Sequence, residues 1–152
     1  MTHWRPDITV AAVIERDGRF LFVEELIGGQ RVLNQPAGHV ERGETLLDAV
    51  RRETLEESAW HFTPEALIGV YPWRHANSGR DKLRFTFCGR VHDHEPGRAL
   101  DQPVLAVHWL TPEELRPRVA SLRTPVVLRC LEHYLAGQRL PLSVVTEFMA
   151  PR

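Results

Sequence analysis

Three glutamates near the middle of the chain have the spacing of a helical metal site. Glu53, Glu56 and Glu57 occupy positions i, i+3 and i+4, so in an α-helix of about 3.6 residues per turn their side chains share one face. Three like charges on adjacent turns repel one another, and a divalent cation removes that repulsion. Carboxylate oxygens suit hard ions such as Mg²⁺ or Mn²⁺, which also attract phosphate oxygens. The spacing therefore favours a Mg²⁺ site, with Mn²⁺ as the alternative ion.

An exposed acidic helix is the competing interpretation, and it is the better one for a generic glutamate-rich helix. Between residues 38 and 60, however, six acidic side chains stand against three basic ones. The acids concentrate at one end and on one face of the predicted helix, where they repel one another. This clustering favours the metal site over a solvated helix face.

The spacing extends beyond the helix. The pattern G-x5-E-x7-R-E-x2-E-E runs from Gly38 to Glu57. It is the pattern of the Nudix box, and the chain resembles the Nudix hydrolases. Two positions depart from the pattern: Thr54 stands where an aliphatic residue is usual, and Ala59 stands where glycine is usual. We expect Ala59 to remove an easy left-handed end for the helix.

The resemblance implies Mg²⁺-dependent hydrolysis of phosphoanhydrides and the α/β class, as a Nudix-type α/β/α sandwich with a mixed sheet. It implies that Arg52 pairs with Glu44 and braces the loop before the helix. Whether Glu53 acts as a base, as a metal ligand or as both is left open. The implied metal ligands are the backbone carbonyl of Gly38 and the side chains of Glu53, Glu56 and Glu57.

Four segments outside the box extend the resemblance over nearly the whole chain. They read NQPAGH, LRF, SLRTPVV and GQRLPL, and they are similar to the NudJ phosphatase branch of the family. This branch implies nucleoside tri- and diphosphates and thiamine-pathway pyrophosphates as substrates, with release of orthophosphate. One alternative is a Nudix pyrophosphohydrolase of nucleotide sugars or dinucleotides. The other is a non-catalytic ligand sensor, which ranks lower because this chain keeps all four box glutamates.

Four residues outside the box are candidates for substrate contacts, and His39 inside the box is considered with them. Arg84 offers a planar fork of donors for phosphate, and its alternative role is that of a strand residue facing solvent. Asp101 precedes the last long strand, where related enzymes often supply another acid, and a solvated loop aspartate is an equally good interpretation. Tyr71 and Trp73 could stack on a base, although core packing is the better prediction for both. His39 is expected to contact the box loop and not to bind metal.

The whole chain has the size of one compact domain, and we predict a single domain over residues 1–152. A formal net charge of −1 gives no broad electrostatic footprint for nucleic acid or anionic lipid. No stretch approaches the roughly 20 apolar residues that span a bilayer, and Cys88 and Cys130 lack metal-ligand spacing. These features predict a cytoplasmic protein with reduced thiols and no nucleic-acid or membrane partner. The resemblance to the Nudix hydrolases implies a small phosphoanhydride substrate. We expect a monomer or a homodimer.

Hydrophobic periodicity predicts strands at residues 8–14, 20–23, 31–33, 66–74, 82–91 and 104–110. Residues 38–43 are predicted to form a loop. Thr63 and Pro64 are predicted to mark a break between elements. In the strand over residues 82–91, Leu83, Phe85 and Phe87 alternate with Arg84, Thr86 and Cys88.

Three helices are predicted from their capping residues. Thr45 and Asp48 form a capping box that starts the box helix near Leu46. Short and long C-terminal helices follow Thr111 and Thr124, because each threonine precedes a proline. The box helix should face the sheet with Leu46, Leu47, Val50 and Thr54. The last helix should bury the stripe Val127, Leu128, Leu131, Tyr134 and Leu135.

Overall fold

A computed structural model describes residues 2–148. Its strands are β1 (Asp7–Arg16), β2 (Arg19–Ile27), β3 (Gln30–Asn34), β4 (Ala37–His39), β5 (His61–Arg74), β6 (Asp81–His92), β7 (Val104–Leu110) and β8 (Leu140–Pro141). Its α-helices are α1 (Leu46–Ser58), α2 (Pro112–Leu115) and α3 (Pro125–Leu135). Two 3₁₀ turns cover Arg116–Ser121 and Leu142–Val144. In this part of the chain no helix is long and apolar enough to cross a membrane.

The strands form one mixed sheet in the order β3-β2-β1-β6-β5-β8, with β4 paired to β1 and β7 paired to β2. Strand β1 is central, because it runs parallel to β6 and antiparallel to both β2 and β4. The other pairs are antiparallel. The mixed sheet of the sequence prediction is confirmed.

Apolar side chains on the two faces of the sheet pack under different helices. Val10 and Ala12 of β1 and Phe87 of β6 pack with Val50 of α1. Val13 and Cys88, one residue further along each strand, belong to the cluster of α3. This alternation gives the predicted α/β/α layers, because successive residues of a strand point to opposite faces.

Helix α1 begins as predicted but ends in an unexpected way. The Thr45 side chain accepts a hydrogen bond from the Asp48 backbone N–H at 3.1 Å, which satisfies one of the free N–H groups of the first turn. Ala59 adopts the left-handed conformation with φ 62°, although alanine there costs about 1 kcal/mol or more. The expectation that Ala59 removes the left-handed end was therefore wrong. Its N–H donates to the Leu55 carbonyl at 2.9 Å.

Three other local predictions were wrong. Gly38 and His39, the first two residues of the predicted loop over residues 38–43, belong to β4, because Gly38 pairs with Val10 of β1. The Thr63–Pro64 segment lies inside β5, where a shift of register after Pro64 accommodates the proline without breaking the strand. In α3, Leu135 is 52% exposed, and the buried residues of the helix are Val127, Cys130 and Leu131.

Candidate active site

The three box glutamates have different environments on helix α1. Glu57 is buried, and its Oε1 accepts the backbone N–H of Ala37 at 2.8 Å. Glu53 and Glu56 are more accessible, with side chains 14% and 27% exposed. The helix therefore directs one carboxylate under β4 and leaves the other two beside the loop that precedes the helix.

Arg52 links the glutamates to that loop. Its Nε and Nη2 donate to the two oxygens of Glu44 at 2.5 and 3.0 Å. Its Nη1 donates to Glu53 at 2.9 Å and to Glu56 at 3.1 Å. Nη2 also donates to the His39 carbonyl at 3.0 Å, and the guanidinium lowers the pKa of Glu44. The predicted Arg52–Glu44 pair is present, whereas the His39 side chain contacts Lys82 and Asp7.

Two of the carboxyls, those of Glu53 and Glu57, have a raised pKa. Burial, reinforced by the charge of Glu53, raises the pKa of Glu57 to about 9. Burial also raises the pKa of Glu53 to about 7, although Arg52 opposes that shift. A group that is hard to ionise at neutral pH gains most from a nearby cation. The helix therefore presents carboxylates that a bound cation would stabilise.

Gly38 brings the backbone of β4 directly against the Glu53 side chain of α1. A Cβ on Gly38 would overlap the carboxylate of Glu53. Only glycine lets the Glu53 side chain lie directly against the backbone at this position. The absence of a side chain at Gly38 thus creates a cradle for the Glu53 carboxylate.

These donors fit a hard divalent cation, because they are carboxylate and backbone oxygens with incomplete neutralisation. Across residues 2–148, however, no three acidic, histidine or cysteine side chains converge into a ready-made metal cage. Arg52 Nη1 lies between Glu53 and Glu56 instead. The guanidinium would have to release these two carboxylates for an ion to bind both, and it would keep its two bonds to Glu44.

A cavity of about 320 Å³ opens beside Gly38. Its lining includes Asn34 and Trp73, and four basic side chains: Arg80, Lys82, Arg84 and Arg123. Asp7 accepts an ion pair from Arg80 at 3.1 Å and one from Lys82 at 2.8 Å. The cavity therefore combines basic groups with Gly38, which packs against the Glu53 carboxylate.

Arg84 is buried, with only 4% of its surface exposed. The alternative that it faces solvent is therefore wrong. It donates to Gln35 Oε1 at 2.5 Å and to Thr86 Oγ1 at 3.3 Å. Among the described residues no carboxylate lies within ion-pair distance of it, and burial lowers its pKa. A buried cation without an anionic partner is costly, so this wall is suited to an anion from outside.

The remaining candidates separate into residues inside and outside the cavity. Trp73 lines it, and the indole N–H of Trp73 is buried without a hydrogen-bond partner in the described part of the chain. Tyr71 packs against α3 and its hydroxyl contacts His133 at 2.8 Å, as predicted for a core residue. Asp101 is exposed and does not line the cavity, although its N–H donates to the Glu56 carbonyl at 2.9 Å. Its role in substrate binding stays a prediction.

Sequence reasoning missed Arg123, Asn34 and Glu25. Glu25 carried a usable signal, because it continues the apolar face of Leu21 and Val23 at alternate positions of β2. A carboxylate on that face must be buried with a partner. Arg123 lies in the SLRTPVV segment, and no local pattern there marks it as a cavity residue.

Comparisons with known proteins agree with this geometry. A sequence model of the NUDIX domain matches residues 4–130. The chain is 36% identical over 148 residues to phosphatase NudJ of Shigella boydii serotype 4 (strain Sb227), covering 97% of this chain and 95% of that protein. The same identity and coverage hold for phosphatase NudJ of Escherichia coli strain K12.

A solved structure described as a NUDIX hydrolase from Nitrosomonas europaea superposes with a TM-score of 0.94. It is 44% identical in sequence, and the match covers 97% of this chain and 100% of the other. A UDP-X diphosphatase matches with a TM-score of 0.73 at 19% identity, over 93% of this chain and 68% of that chain, which shows the shared fold alone. The chain belongs to the Nudix hydrolases and is an enzyme that acts on phosphoanhydrides.

Proposed function

We propose that this enzyme is a divalent-metal-dependent phosphatase that removes the terminal phosphate from nucleoside tri- and diphosphates and from related small pyrophosphates, including those of the thiamine pathway. One observation carries the proposal. Gly38 both lines the basic cavity and forms the cradle that receives Glu53. A phosphoanhydride in the cavity would therefore lie next to the box carboxylates.

The metal site is assigned to the carboxylates of Glu53, Glu56 and Glu57 and to the backbone carbonyl of Gly38. When bound, Mg²⁺ would neutralise charge on phosphate oxygens and make a water molecule more acidic. Phosphoryl transfer depends mainly on positioning and on charge stabilisation. The residues around the metal site supply both.

Arg52 and Glu44 hold the loop before α1 against the helix, so that Gly38 stays in place. Arg84 lies in the wall of the cavity with no carboxylate partner among the described residues, and we assign it to a phosphate oxygen of the substrate. Trp73 forms an apolar wall for the organic part of the substrate. Its unpartnered indole N–H is available to an acceptor on that group.

Whole-length similarity to phosphatase NudJ supports orthophosphate as the product. A second candidate, cleavage of nucleotide sugars, has no support beyond the fold shared with a UDP-X diphosphatase. A panel assay separates the two. It contains a nucleoside triphosphate, a nucleoside diphosphate, thiamine pyrophosphate and a nucleotide sugar, each with Mg²⁺ and with a chelator.

We expect Mg²⁺-dependent release of orthophosphate from the first three substrates. Glu57→Gln should lower turnover at least about a hundredfold, the scale of a lost electrostatic contact in a transition state. Glu65→Gln is the matched control, because the Glu65 carboxylate is half exposed and lies on β5. Near-wild-type turnover of Glu57→Gln at saturating Mg²⁺ would remove the metal assignment, and exclusive cleavage of the nucleotide sugar would refute the phosphatase.

A further inference from the structure

Arg123 and Glu25 form an ion pair at the cavity wall that the proposed metal site does not use. Arg123 Nη1 donates to Glu25 Oε2 at 2.8 Å. The Glu25 side chain is 1% exposed, whereas the Arg123 side chain is 41% exposed and lines the cavity. The carboxylate is therefore buried in the protein while its cationic partner faces the space beside Gly38.

The chain fixes both members of this pair. Glu25 lies on the face of β2 that carries Leu21 and Val23, at a shift of register between β2 and β7. Arg123 lies two residues before helix α3, next to the N-cap residue Thr124. Its backbone N–H donates to the Leu33 carbonyl of β3 at 2.8 Å. Backbone and guanidinium are thus held by two different strands, so that Arg123 has little freedom to turn away from the cavity.

Stability alone explains this arrangement poorly. A buried ion pair contributes little net stability compared with apolar side chains of similar volume. In this pair Glu25 Oε1 has no hydrogen-bond partner within residues 2–148, which is a further cost. The pair instead holds the Arg123 guanidinium in a defined position at the edge of the cavity.

Arg84 lies on the same wall, and the two guanidinium groups act on each other. The charge of Arg123 helps to lower the pKa of Arg84. Arg84, Arg123 and Gly38 line the same cavity, so an anion in the cavity would relieve the repulsion between the two cations.

We propose that Arg123 and Arg84 together bind a phosphate group of the substrate other than the one that is cleaved, and that Glu25 positions Arg123 for this contact. The assignment rests on the proposed function, because it places the cleaved phosphate at the box carboxylates. Arg123 then determines the affinity of the enzyme for ligands that carry this second phosphate group. Glu25 acts only through Arg123. Arginine suits this contact because its planar fork matches two phosphate oxygens.

The test compares this pair with the neighbouring ion pair between β2 and β3. Glu24 and Arg31 form an ion pair at 2.7 Å, with the Arg31 side chain 71% exposed. Arg123→Met and Glu25→Gln are therefore measured beside Arg31→Met. One readout is the Kd for ADP and for inorganic pyrophosphate, measured by calorimetry in a chelator without turnover. The other readout is KM and kcat for ADP with Mg²⁺.

We expect Arg123→Met to weaken metal-free binding of both probes at least about tenfold and to raise KM more than it lowers kcat. Arg123→Lys should recover part of the loss, and Arg31→Met should change each value less than twofold. Glu25→Gln should raise KM with kcat nearly unchanged, while the thermal unfolding midpoint reports any loss of folding separately. If Glu25→Gln does not fold, Glu25→Asp is measured in its place.

Equal effects of Arg123→Met and Arg31→Met on binding would overturn the proposal. A Glu25 variant that lowers the unfolding midpoint but leaves KM and Kd unchanged would overturn the positioning role. The binding readout does not depend on catalysis. A wild-type protein that binds ADP through Arg123 but hydrolyses no phosphoanhydride would therefore refute the proposed phosphatase and leave the anion site standing.

Discussion

Replacing Glu57 by glutamine should stabilise the metal-free protein at neutral pH. Burial raises the pKa of Glu57 from 4.5 to about 9 in the folded state. The folded chain therefore holds this proton more tightly than the unfolded chain. The resulting stabilisation is fully present below pH 4.5 and is lost progressively as the pH rises towards 9. Glutamine carries no charge at any of these pH values and avoids the loss.

The magnitude follows from the interval between 4.5 and the working pH. At pH 7.5 Glu57 is ionised in the unfolded chain but holds its proton in the folded chain. This difference lowers the free energy of unfolding by up to about 4 kcal/mol, since each pH unit above 4.5 corresponds to about 1.36 kcal/mol. Water entry and side-chain rotation relieve part of this cost. We expect Glu57→Gln to raise the free energy of unfolding by about 2–4 kcal/mol at pH 7.5. The difference should fall towards zero near pH 5.

The assay is urea unfolding in a chelator at pH 5.0, 6.5 and 7.5, followed by the fluorescence of the four tryptophans. Glu65→Gln, which alters a half-exposed carboxylate, should leave the free energy of unfolding nearly unchanged. Added Mg²⁺ should stabilise the wild type and not Glu57→Gln, because a ligand stabilises the state that binds it. An equal effect at pH 5.0 and 7.5, or a variant less stable than the wild type at pH 7.5, would refute the reasoning.

Two further substitutions test the cavity side of the site. Gly38→Ala should abolish Mn²⁺ binding measured by paramagnetic resonance and lower turnover at least about a hundredfold, because its Cβ would overlap the Glu53 carboxylate. Gly97→Ala, where a Cβ would meet open space, should change neither, and normal Mn²⁺ binding by Gly38→Ala would contradict the cradle. Arg84→Lys should raise KM about tenfold while circular dichroism remains unchanged, because a point charge does not replace a bidentate fork. Unchanged kcat and KM would remove Arg84 from the site.

Local rules made the box helix predictable from sequence. In a helix, the spacing of Glu53, Glu56 and Glu57 places the three side chains on one face. The Thr45 cap indicates where that helix begins. The end of the helix was less predictable, because tertiary packing holds Ala59 in a conformation that alanine alone disfavours. Short-range patterns thus identified the element and its chemistry but not how it ends.

The cavity could not be predicted because its residues meet only in three dimensions. Glu25 and Arg123 are 98 positions apart in the chain, and no local pattern connects them. Alternation placed Arg84 on one face of β6 correctly, but it did not show that α3 and Gln35 cover that face. Arg84 is buried without a carboxylate partner among the described residues. This burial depends on packing across the whole sheet, which a local pattern does not show.

The measurement that tests the central claim most directly is hydrolysis of a nucleoside triphosphate with Mg²⁺ in ¹⁸O-labelled water. We expect the label in orthophosphate, with the diphosphate accumulating before the monophosphate, because we propose that the terminal phosphate binds at the box carboxylates and the next phosphate binds to Arg84 and Arg123. Label confined to pyrophosphate or to the monophosphate, with no labelled orthophosphate, would contradict the account.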